Sequence, residues 1–306
     1  MKVCVRVPAT TANLGPGFDA LGLALDLWNE TVWTPTGDGQ IRVTISGEGE
    51  GILPKDATNP IVAAALSLYA RVGATCEGVH IHCVNRIPLS SGLGSSSAAL
   101  LSGLLGANAL LGEPFSREEI LRLAIETEGH PDNVAPAMLG GLVVSILHDG
   151  RVVSIKLPAR GYRTPLRATV VLPDFDFPTE YARSILPQVV SRQDAIFNIS
   201  RSVLVVEALR TGDLDMLGKA MEDCLHQPYR LPLIPGALAA MEAARKSGAA
   251  AVALSGAGPS LIAFSSDWVP EIGEAMRQEF ARAGLNTRVF CLRVSERGAS
   301  IIRRRG

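Results

Sequence analysis

The chain has 306 residues, of which 47% are hydrophobic, and its formal net charge is −1. A chain of this length can bury a large core, as one large domain or as two domains of ordinary size. The charge balance excludes the strong basic field that is typical of nucleic-acid-binding proteins, so we predict no nucleic-acid partner. The five cysteines form no closely spaced pair, which predicts reduced thiols and a cytoplasmic location.

The longest apolar stretch, residues 98–111, is too short to span a membrane. It is also interrupted by Ser102, Gly103, Gly106 and Asn108. The chain opens on a strand pattern rather than on a signal peptide. We therefore predict that this stretch is a buried helix and that the protein has no membrane partner.

The first half of the chain is predicted to alternate strands and helices. Asn59 and Pro60 are typical of an N-cap and a first helical residue, so a helix begins there. Ser116 and Glu119 have the spacing of a capping box, and the helix that they begin is expected to end at Gly129. Apolar patterning predicts a further helix at residues 93–111 and strands at 3–7, 41–45, 79–84, 141–147 and 151–157, the last two joined as a hairpin by Asp149-Gly150.

The second half is predicted to begin with a strand and to continue with several helices. The predicted helices are residues 181–186, 196–210, 214–224 and 236–247 and one from Pro270, and the predicted strands are 168–172, 250–254, 261–264 and 287–294. This order is typical of an α+β protein. We place an N-terminal domain at 1–160 and a C-terminal domain at 161–306, with Arg303 to Arg305 as a solvated tail.

The segment Pro88 to Ala98, PLSSGLGSSSA, carries two glycines and five serines between a predicted strand and a long apolar helix. Such a loop at a helix N-terminus offers backbone N–H groups to an anion. It lacks the lysine of a Walker A loop, and Ser97 stands where a dinucleotide-binding loop has its third glycine. The loop therefore predicts a phosphate site of another kind, and a plain tight turn before a buried helix is the alternative.

Four segments, in family order, resemble the motifs of the GHMP small-molecule kinases and, among these, the homoserine kinases. They are PATTANLGPGFD at 8–19, PLSSGLGSSSA at 88–98, HPDNVAPA at 130–137 and LSGAGPS at 254–260. The resemblance implies an α+β, two-domain GHMP kinase fold, with an N-terminal domain like the second domain of ribosomal protein S5 and a ferredoxin-like C-terminal domain. It also implies a homodimer that transfers the γ-phosphoryl group of ATP to the side-chain hydroxyl of L-homoserine, in threonine biosynthesis.

The resemblance also implies residues for ATP and for its magnesium ion. The implied ATP-binding residues are Asn59 at the adenine and, in the loop, Pro88, Leu89, Ser90, Ser91, Gly92, Leu93, Gly94, Ser95, Ser96, Ser97 and Ala98. Ser96 and Glu126 are implied as Mg²⁺ ligands, and hard oxygen ligands suit that ion. From spacing alone, Glu126 could instead pair with Arg122, and Glu128 is the alternative ligand if the register is shifted by two residues.

For L-homoserine, the resemblance implies a set of polar residues in both halves of the chain. They are Arg183 and Arg230 for the carboxylate, Asp19 for the ammonium group, Asn13 for the reacting hydroxyl, and His130 and Thr179 for the pocket wall. A guanidinium suits a carboxylate because it forms paired hydrogen bonds. Asn133 is expected to position the hydroxyl, and Asp132 is not expected to act as a general base. A kinase for another alcohol, such as mevalonate, phosphomevalonate or a sugar, and a nucleotide-binding relative without turnover are the rival hypotheses.

Overall fold

The structure, a computed structural model, describes residues 2–158 and 166–304. Its strands are β1 (Lys2–Ala12), β2 (Leu21–Pro35), β3 (Ile41–Gly47), β4 (Val79–Asn85), β5 (Leu142–His148), β6 (Arg151–Leu157), β7 (Arg167–Pro173), β8 (Ala251–Leu254), β9 (Leu261–Ser265), β10 (Thr287–Arg293) and β11 (Ser300–Arg304). These strands form two sheets, of seven and of four strands. The α+β class is confirmed.

Helices pack on both sheets. They are α1 (Pro60–Arg71), α2 (Ser95–Leu110), α3 (Arg117–Glu128), α4 (Pro131–Leu139), α5 (Thr179–Ser184), α6 (Arg192–Thr211), α7 (Leu214–Ala220), α8 (Gln227–Arg230), α9 (Ala237–Lys246) and α10 (Pro270–Arg282), with a 3₁₀ turn at Leu231–Leu233. Among the helices in the described ranges, none has the length and apolar composition needed to cross a membrane.

The seven-stranded sheet runs in the order β11-β1-β2-β4-β3, and β5 pairs with both β2 and β6. Helix α2 is buried on nearly all sides beneath it. Small residues allow this position, since a Cβ atom on Gly106 would lie 2.2 Å from the ring of Trp33. The surrounding core fixes α2 rigidly, and it therefore fixes the loop that begins α2.

The four-stranded sheet is antiparallel and runs in the order β10-β7-β9-β8. Counted along the chain, this is the order fourth, first, third, second, which a βαββαβ ferredoxin-like arrangement gives. Its helices bury a second core around Phe280, Ile272 and Met276. The ferredoxin-like prediction for this half of the chain agrees with the topology.

Local signals in the sequence are confirmed where they define helix ends and turns. The Ser116 side chain accepts a hydrogen bond from the N–H of Glu119, and the Glu119 carboxylate accepts one from the N–H of Ser116, which completes the capping box. The same helix ends at Gly129 with φ of 85°. Asp149 and Gly150, with φ of 49° and 72°, join β5 to β6 as a two-residue hairpin turn.

Several expectations from the sequence are corrected. Strand β1 continues to Ala12, so the predicted loop at 8–19 begins later than expected, and β2, α4, α8 and β11 were not predicted. Arg303 does not lie in a solvated tail, because it pairs with Val3 in the sheet and forms a 2.6 Å ion pair with Glu113. The domain boundary predicted between residues 160 and 161 lies outside the described residues and stays a prediction.

Candidate active site

The segment Pro88 to Ala98, which we call the phosphate loop, includes the first residues of α2. Two glycines determine its backbone conformation. Gly92 and Gly94 have φ of 74° and 71°, a left-handed conformation that L side chains rarely adopt. A Cβ atom on Gly92 would lie 2.2 Å from the Ser255 carbonyl oxygen, and one on Gly94 would lie 2.1 Å from the Thr10 hydroxyl. The first N–H groups of α2 have no partner within the helix. They form a positive site for an anion beside a backbone that no larger residue could occupy.

Three sequence motifs meet around this loop. The Ser255 hydroxyl, in the C-terminal glycine loop, contacts the carbonyl of Gly92 at 2.7 Å and the hydroxyl of Thr11 at 2.9 Å. The Asn13 amide donates to the carbonyl of Gly256 at 2.9 Å. Hydrogen bonds therefore join three motifs that are far apart in the chain, at 8–19, 88–98 and 254–260. Together these motifs form one continuous surface beneath the candidate site.

A carboxylate closes the phosphate loop on one side. Oε1 of Glu128 accepts hydrogen bonds from the hydroxyls of Ser96 at 2.5 Å and Ser97 at 3.1 Å. Glu126 is directed away from the loop, with its side chain 56% exposed and 4.0 Å from Arg122. Glu128, the alternative ligand, thus lies beside the loop serines and Glu126 does not, because residues two apart on a helix face nearly opposite directions. Which of the two glutamates binds a cation stays a prediction. Two hydroxyls and a carboxylate are hard oxygen donors, so this corner suits a divalent cation such as Mg²⁺.

A largely apolar cavity of about 410 Å³ lies between α1, α2 and the first sheet. Asn59 lies in its wall, with its Oδ1 capping α1 at the N–H of Ile61 and its amide donating to the carbonyl of Pro54. The cavity reaches Ser95, Ser96 and Glu128, which also line the second cavity described next. An apolar compartment that joins an anion site has the layout of a nucleoside pocket.

A second cavity of about 320 Å³ is polar and lies between the two halves of the chain. Its wall contains most of the predicted substrate residues: Asn13, His130, Thr179, Arg183 and Arg230. Asn133, Asp132 and four serines of the phosphate loop also line it, namely Ser90, Ser91, Ser95 and Ser96. The structure therefore brings these predicted residues together, although Asn13 and Arg230 lie more than two thirds of the chain apart.

Asp19 reaches this cavity through Arg183. The two side chains form a bidentate pair, with N–O distances of 2.7 and 2.9 Å. The hydrogen bond to Asp19 raises the pKa of the Arg183 guanidinium above its usual value. The two groups predicted to bind opposite ends of an amino acid are thus paired with each other.

Arg230 is the second cation of the cavity and is only 1% exposed. Its Nε donates to the carbonyl of Ala182 at 2.9 Å. Burial, followed by the charge of Arg183, lowers the pKa of its guanidinium to about 10. A buried cation beside another cation favours an anionic ligand.

The motif at residues 130–137 forms the opposite wall of the polar cavity. Nδ1 of His130 lies 2.8 Å from the carboxylate of Asp132, and that hydrogen bond raises the pKa of His130. Oδ1 of Asn133 accepts a hydrogen bond from Thr10 at 2.8 Å, which leaves its amide nitrogen for the cavity. Thr10 and Ser255 were missed in the sequence. Both residues lie inside the motifs at 8–19 and 254–260, and that position was the available signal.

Comparison with known proteins agrees with this geometry. The models of the GHMP kinase N-terminal and C-terminal domains match residues 59–141 and 205–282. The chain is 47% identical to the homoserine kinase of Moorella thermoacetica, over 97% of this chain and 99% of that protein. It is 41% identical to the homoserine kinase of Carboxydothermus hydrogenoformans, over 97% of this chain and 96% of that protein.

A solved structure gives the same result. The crystal structure of homoserine kinase from Cytophaga hutchinsonii superposes with a TM-score of 0.87 at 32% identity, covering 98% of this chain and 97% of that one. The fold and the site thus define a small-molecule kinase of the GHMP superfamily. Within that superfamily, the chain belongs to the homoserine kinase family.

Proposed function

We propose that this protein transfers the γ-phosphoryl group of ATP to the side-chain hydroxyl of L-homoserine, forming O-phospho-L-homoserine in threonine biosynthesis. The observation that carries the proposal is the polar cavity, in which the Asp19–Arg183 pair and the buried Arg230 lie beside the phosphate loop. An α-amino acid carries a carboxylate and an ammonium group, which match these charges. The near full-length likeness to homoserine kinases supports the same substrate.

The proposed substrate contacts follow from the charges in the cavity. Arg183 and Arg230 bind the carboxylate, and Asp19 binds the ammonium group. A zwitterionic substrate offers each member of the Asp19–Arg183 pair a replacement partner, so the exchange leaves neither of these half-buried charges unpaired. Asn13 contacts the hydroxyl, while His130 and Thr179 form the wall around the carbon chain.

The reaction joins the hydroxyl oxygen to the γ-phosphorus, breaks the bond from that phosphorus to the bridging oxygen, which leaves on ADP, and releases the hydroxyl proton to solvent. The N–H groups of the phosphate loop stabilise the charge on the phosphates, and Asn133 positions the hydroxyl. Asp132 is already engaged by His130, so we assign it no role as a general base. Replacing Asp132 by Asn tests this assignment, since a loss beyond roughly 10⁴-fold in an intact fold would indicate a true base.

ATP-dependent kinases use a divalent cation, and we propose Mg²⁺ here. Ser96 and Glu128 would hold it, and it would neutralise charge on the β- and γ-phosphates. The adenine occupies the apolar cavity near Asn59. Activity with Mg²⁺ but not with Ca²⁺, which prefers more ligands at longer distances, would support this assignment.

The substrate is tested by ADP release in a coupled assay with L-homoserine, L-serine, L-threonine and mevalonate. We expect turnover with L-homoserine at a kcat/KM at least about 100-fold above that for each control, and ³¹P NMR of the product should show a phosphate monoester. Absence of ADP release with L-homoserine would refute the proposal. Faster turnover with mevalonate would favour a kinase for another alcohol.

We also propose that two copies associate through α6. Ile196, Ile199 and Val203 are 59%, 66% and 66% exposed and form a stripe on one face of this helix. An antiparallel second copy would place Ile196 opposite Val203 and Arg192 opposite Glu207, so the stripe is self-complementary in shape and charge. Light scattering after size exclusion should show a dimer that Ile199→Asp dissociates, and a monomeric parent would contradict this.

We propose a cytoplasmic location. Cys76, Cys83, Cys224 and Cys291 are free thiols, and free thiols suit a reducing compartment. Fractionation of cells that produce the protein tests this, and recovery outside the cytoplasm would contradict it.

A further inference from the structure

His226 lies immediately before α8, the short helix that carries Arg230, and its side chain is fully buried. Both of its ring nitrogens have partners. Nε2 lies 2.9 Å from the carbonyl oxygen of Gly15, and Nδ1 lies 3.3 Å from Nη1 of Arg230. A carbonyl only accepts a hydrogen bond and a guanidinium only donates one. The proton therefore resides on Nε2, and Nδ1 presents its lone pair to Arg230.

The surroundings of the ring favour this neutral form. Burial lowers the pKa of His226 and outweighs the charge of Asp223, which raises it, and the nearby Arg230 lowers it further. The carboxylate of Asp223 lies 3.5 Å from Nε2, but it already accepts hydrogen bonds from the N–H groups of Leu225, His226 and Gln227 and from the amide of Asn198. Asp223 thus fixes the backbone before α8, while the imidazole contacts Gly15 and Arg230.

Two hydrogen bonds determine the plane of the Arg230 guanidinium. Nε donates to the carbonyl of Ala182, and Nη1 donates to Nδ1 of His226. Within the ranges that the structure describes, Nη2 has no hydrogen-bond partner, and Arg230 lies in the wall of the polar cavity. The His226 ring also stacks on Phe18, with ring centroids 5.2 Å apart, so it connects Arg230 to the N-terminal signature loop.

We propose that His226 is a positioning residue for substrate binding, whose Nδ1 lone pair holds the guanidinium of Arg230 so that Nη2 faces the carboxylate of the amino-acid substrate. The inference rests on the proposed function, because that function assigns the carboxylate to Arg230. A ring that merely filled space beneath Phe18 would not need a particular nitrogen to accept a hydrogen bond.

Two matched variants separate the two nitrogens. In His226→Asn the amide oxygen lies near the position of Nδ1 and keeps the acceptor for Arg230, whereas in His226→Gln the amide nitrogen lies near Nε2 and keeps only the donor to Gly15. Both variants lose the stack on Phe18 equally. We expect the KM for L-homoserine to rise about ten-fold or more in His226→Gln and less than about three-fold in His226→Asn, with the KM for ATP within about two-fold in both.

Equal KM values for L-homoserine in the two variants, or a parallel change in the KM for ATP, would overturn the proposal. If neither variant folds, ¹⁵N NMR of the imidazoles in the unmodified protein decides, with His226 assigned by replacing the other four histidines one at a time. An unprotonated Nδ1 supports the proposal, and a protonated Nδ1 refutes it. Absence of turnover with L-homoserine in the parent would refute the proposed function and the substrate assigned to Arg230, whereas the NMR result does not depend on turnover and would still decide whether Nδ1 of His226 accepts the hydrogen bond from Arg230.

Discussion

Glu128 and Glu126 lie two residues apart on α3. They offer a matched test of the cation site that we propose at Ser96 and Glu128. Replacing either by Gln removes one negative charge from the last turn of the same helix. Only the Glu128 carboxylate accepts hydrogen bonds from the phosphate loop, at 2.5 Å from Ser96 and 3.1 Å from Ser97. The pair of substitutions therefore keeps the change in net charge constant and varies only the contact with the loop.

The structure gives very different magnitudes for the two changes. Glu126 takes part in an exposed ion pair at 4.0 Å, of a kind worth about 0–1 kcal/mol to stability, and it contacts no group of the site. Glu128 is assigned to hold the cation that stabilises the phosphates. Loss of one such electrostatic group typically lowers kcat by about 10²–10³-fold, or roughly 3–4 kcal/mol in the barrier. We expect that loss in Glu128→Gln and an unchanged kcat in Glu126→Gln.

The measurement is the initial rate of ADP release at saturating ATP and L-homoserine, over a series of Mg²⁺ concentrations. Glu128→Gln should also need more Mg²⁺ for half-maximal rate. Thermal unfolding serves as the control, and the two variants should melt within about 3 °C of each other. Equal losses of kcat in the two variants, or a normal Mg²⁺ dependence in Glu128→Gln, would refute the assignment of Glu128. A loss of kcat confined to Glu126→Gln would identify Glu126 as the ligand.

Three further predictions follow from the geometry. Gly92→Ala should raise the KM for ATP about ten-fold or more, and it should lower the melting temperature more than Gly112→Ala does. Both residues have positive φ (74° and 83°), but only at Gly92 would the new Cβ clash, at 2.2 Å from a backbone oxygen. Equal effects of the two substitutions on ATP binding would show that the clash is relieved. The stability contributed by His130 should be fully present below its ordinary pKa of 6.5 and should be lost as the pH rises through its raised folded-state pKa. The difference in melting temperature between the parent and His130→Gln should therefore shrink from about pH 5.5 to pH 8.5, and a constant or growing difference would contradict the ion pair. Burial raises the pKa of the Cys83 thiol to about 12, so a thiol reagent at about pH 8 should label the exposed Cys291 first and Cys83 only after unfolding, as peptide mass mapping would show; early labelling of Cys83 would mean that the core around it opens.

The sequence predicted those parts of the fold whose cause is local. A capping box needs only Ser116 and Glu119, and a two-residue hairpin turn needs only Asp149 and Gly150, so both appear in the chain itself. Strand β2 has leucine at every second position from Leu21 to Leu27, so a local signal was present there and was missed, whereas its continuation to Pro35 depends on pairing with β1 and β4. Strand β11 is defined by its distant partner β1, which no local pattern reveals.

The candidate site, like the fold, has some features that local sequence reveals and others that depend on distant parts of the chain. The resemblance of motifs brought out most of the residues that line the polar cavity, but it did not fix the helical register at the end of α3. The pattern of buried residues held that information, since Glu128 lies four residues after the buried Ala124, whereas Glu126 lies four residues after the exposed Arg122. The pairing of Asp19 with Arg183 depends on how the two halves of the chain meet, so it could be read only from the structure.

The pairing of β11 with β1 has a consequence for how the protein is made. During synthesis the N-terminal strand emerges first, yet its outer edge, from Lys2 to Arg6, finds its partner only when residues 300–304 leave the ribosome. An unpaired strand edge can pair with other chains, so a product that lacks β11 exposes the edge of the long strand β1 in place of the edge of the five-residue β11. A fragment that ends near residue 160 would keep the edge of β1 open, and it should therefore aggregate more readily than a chain that includes β11.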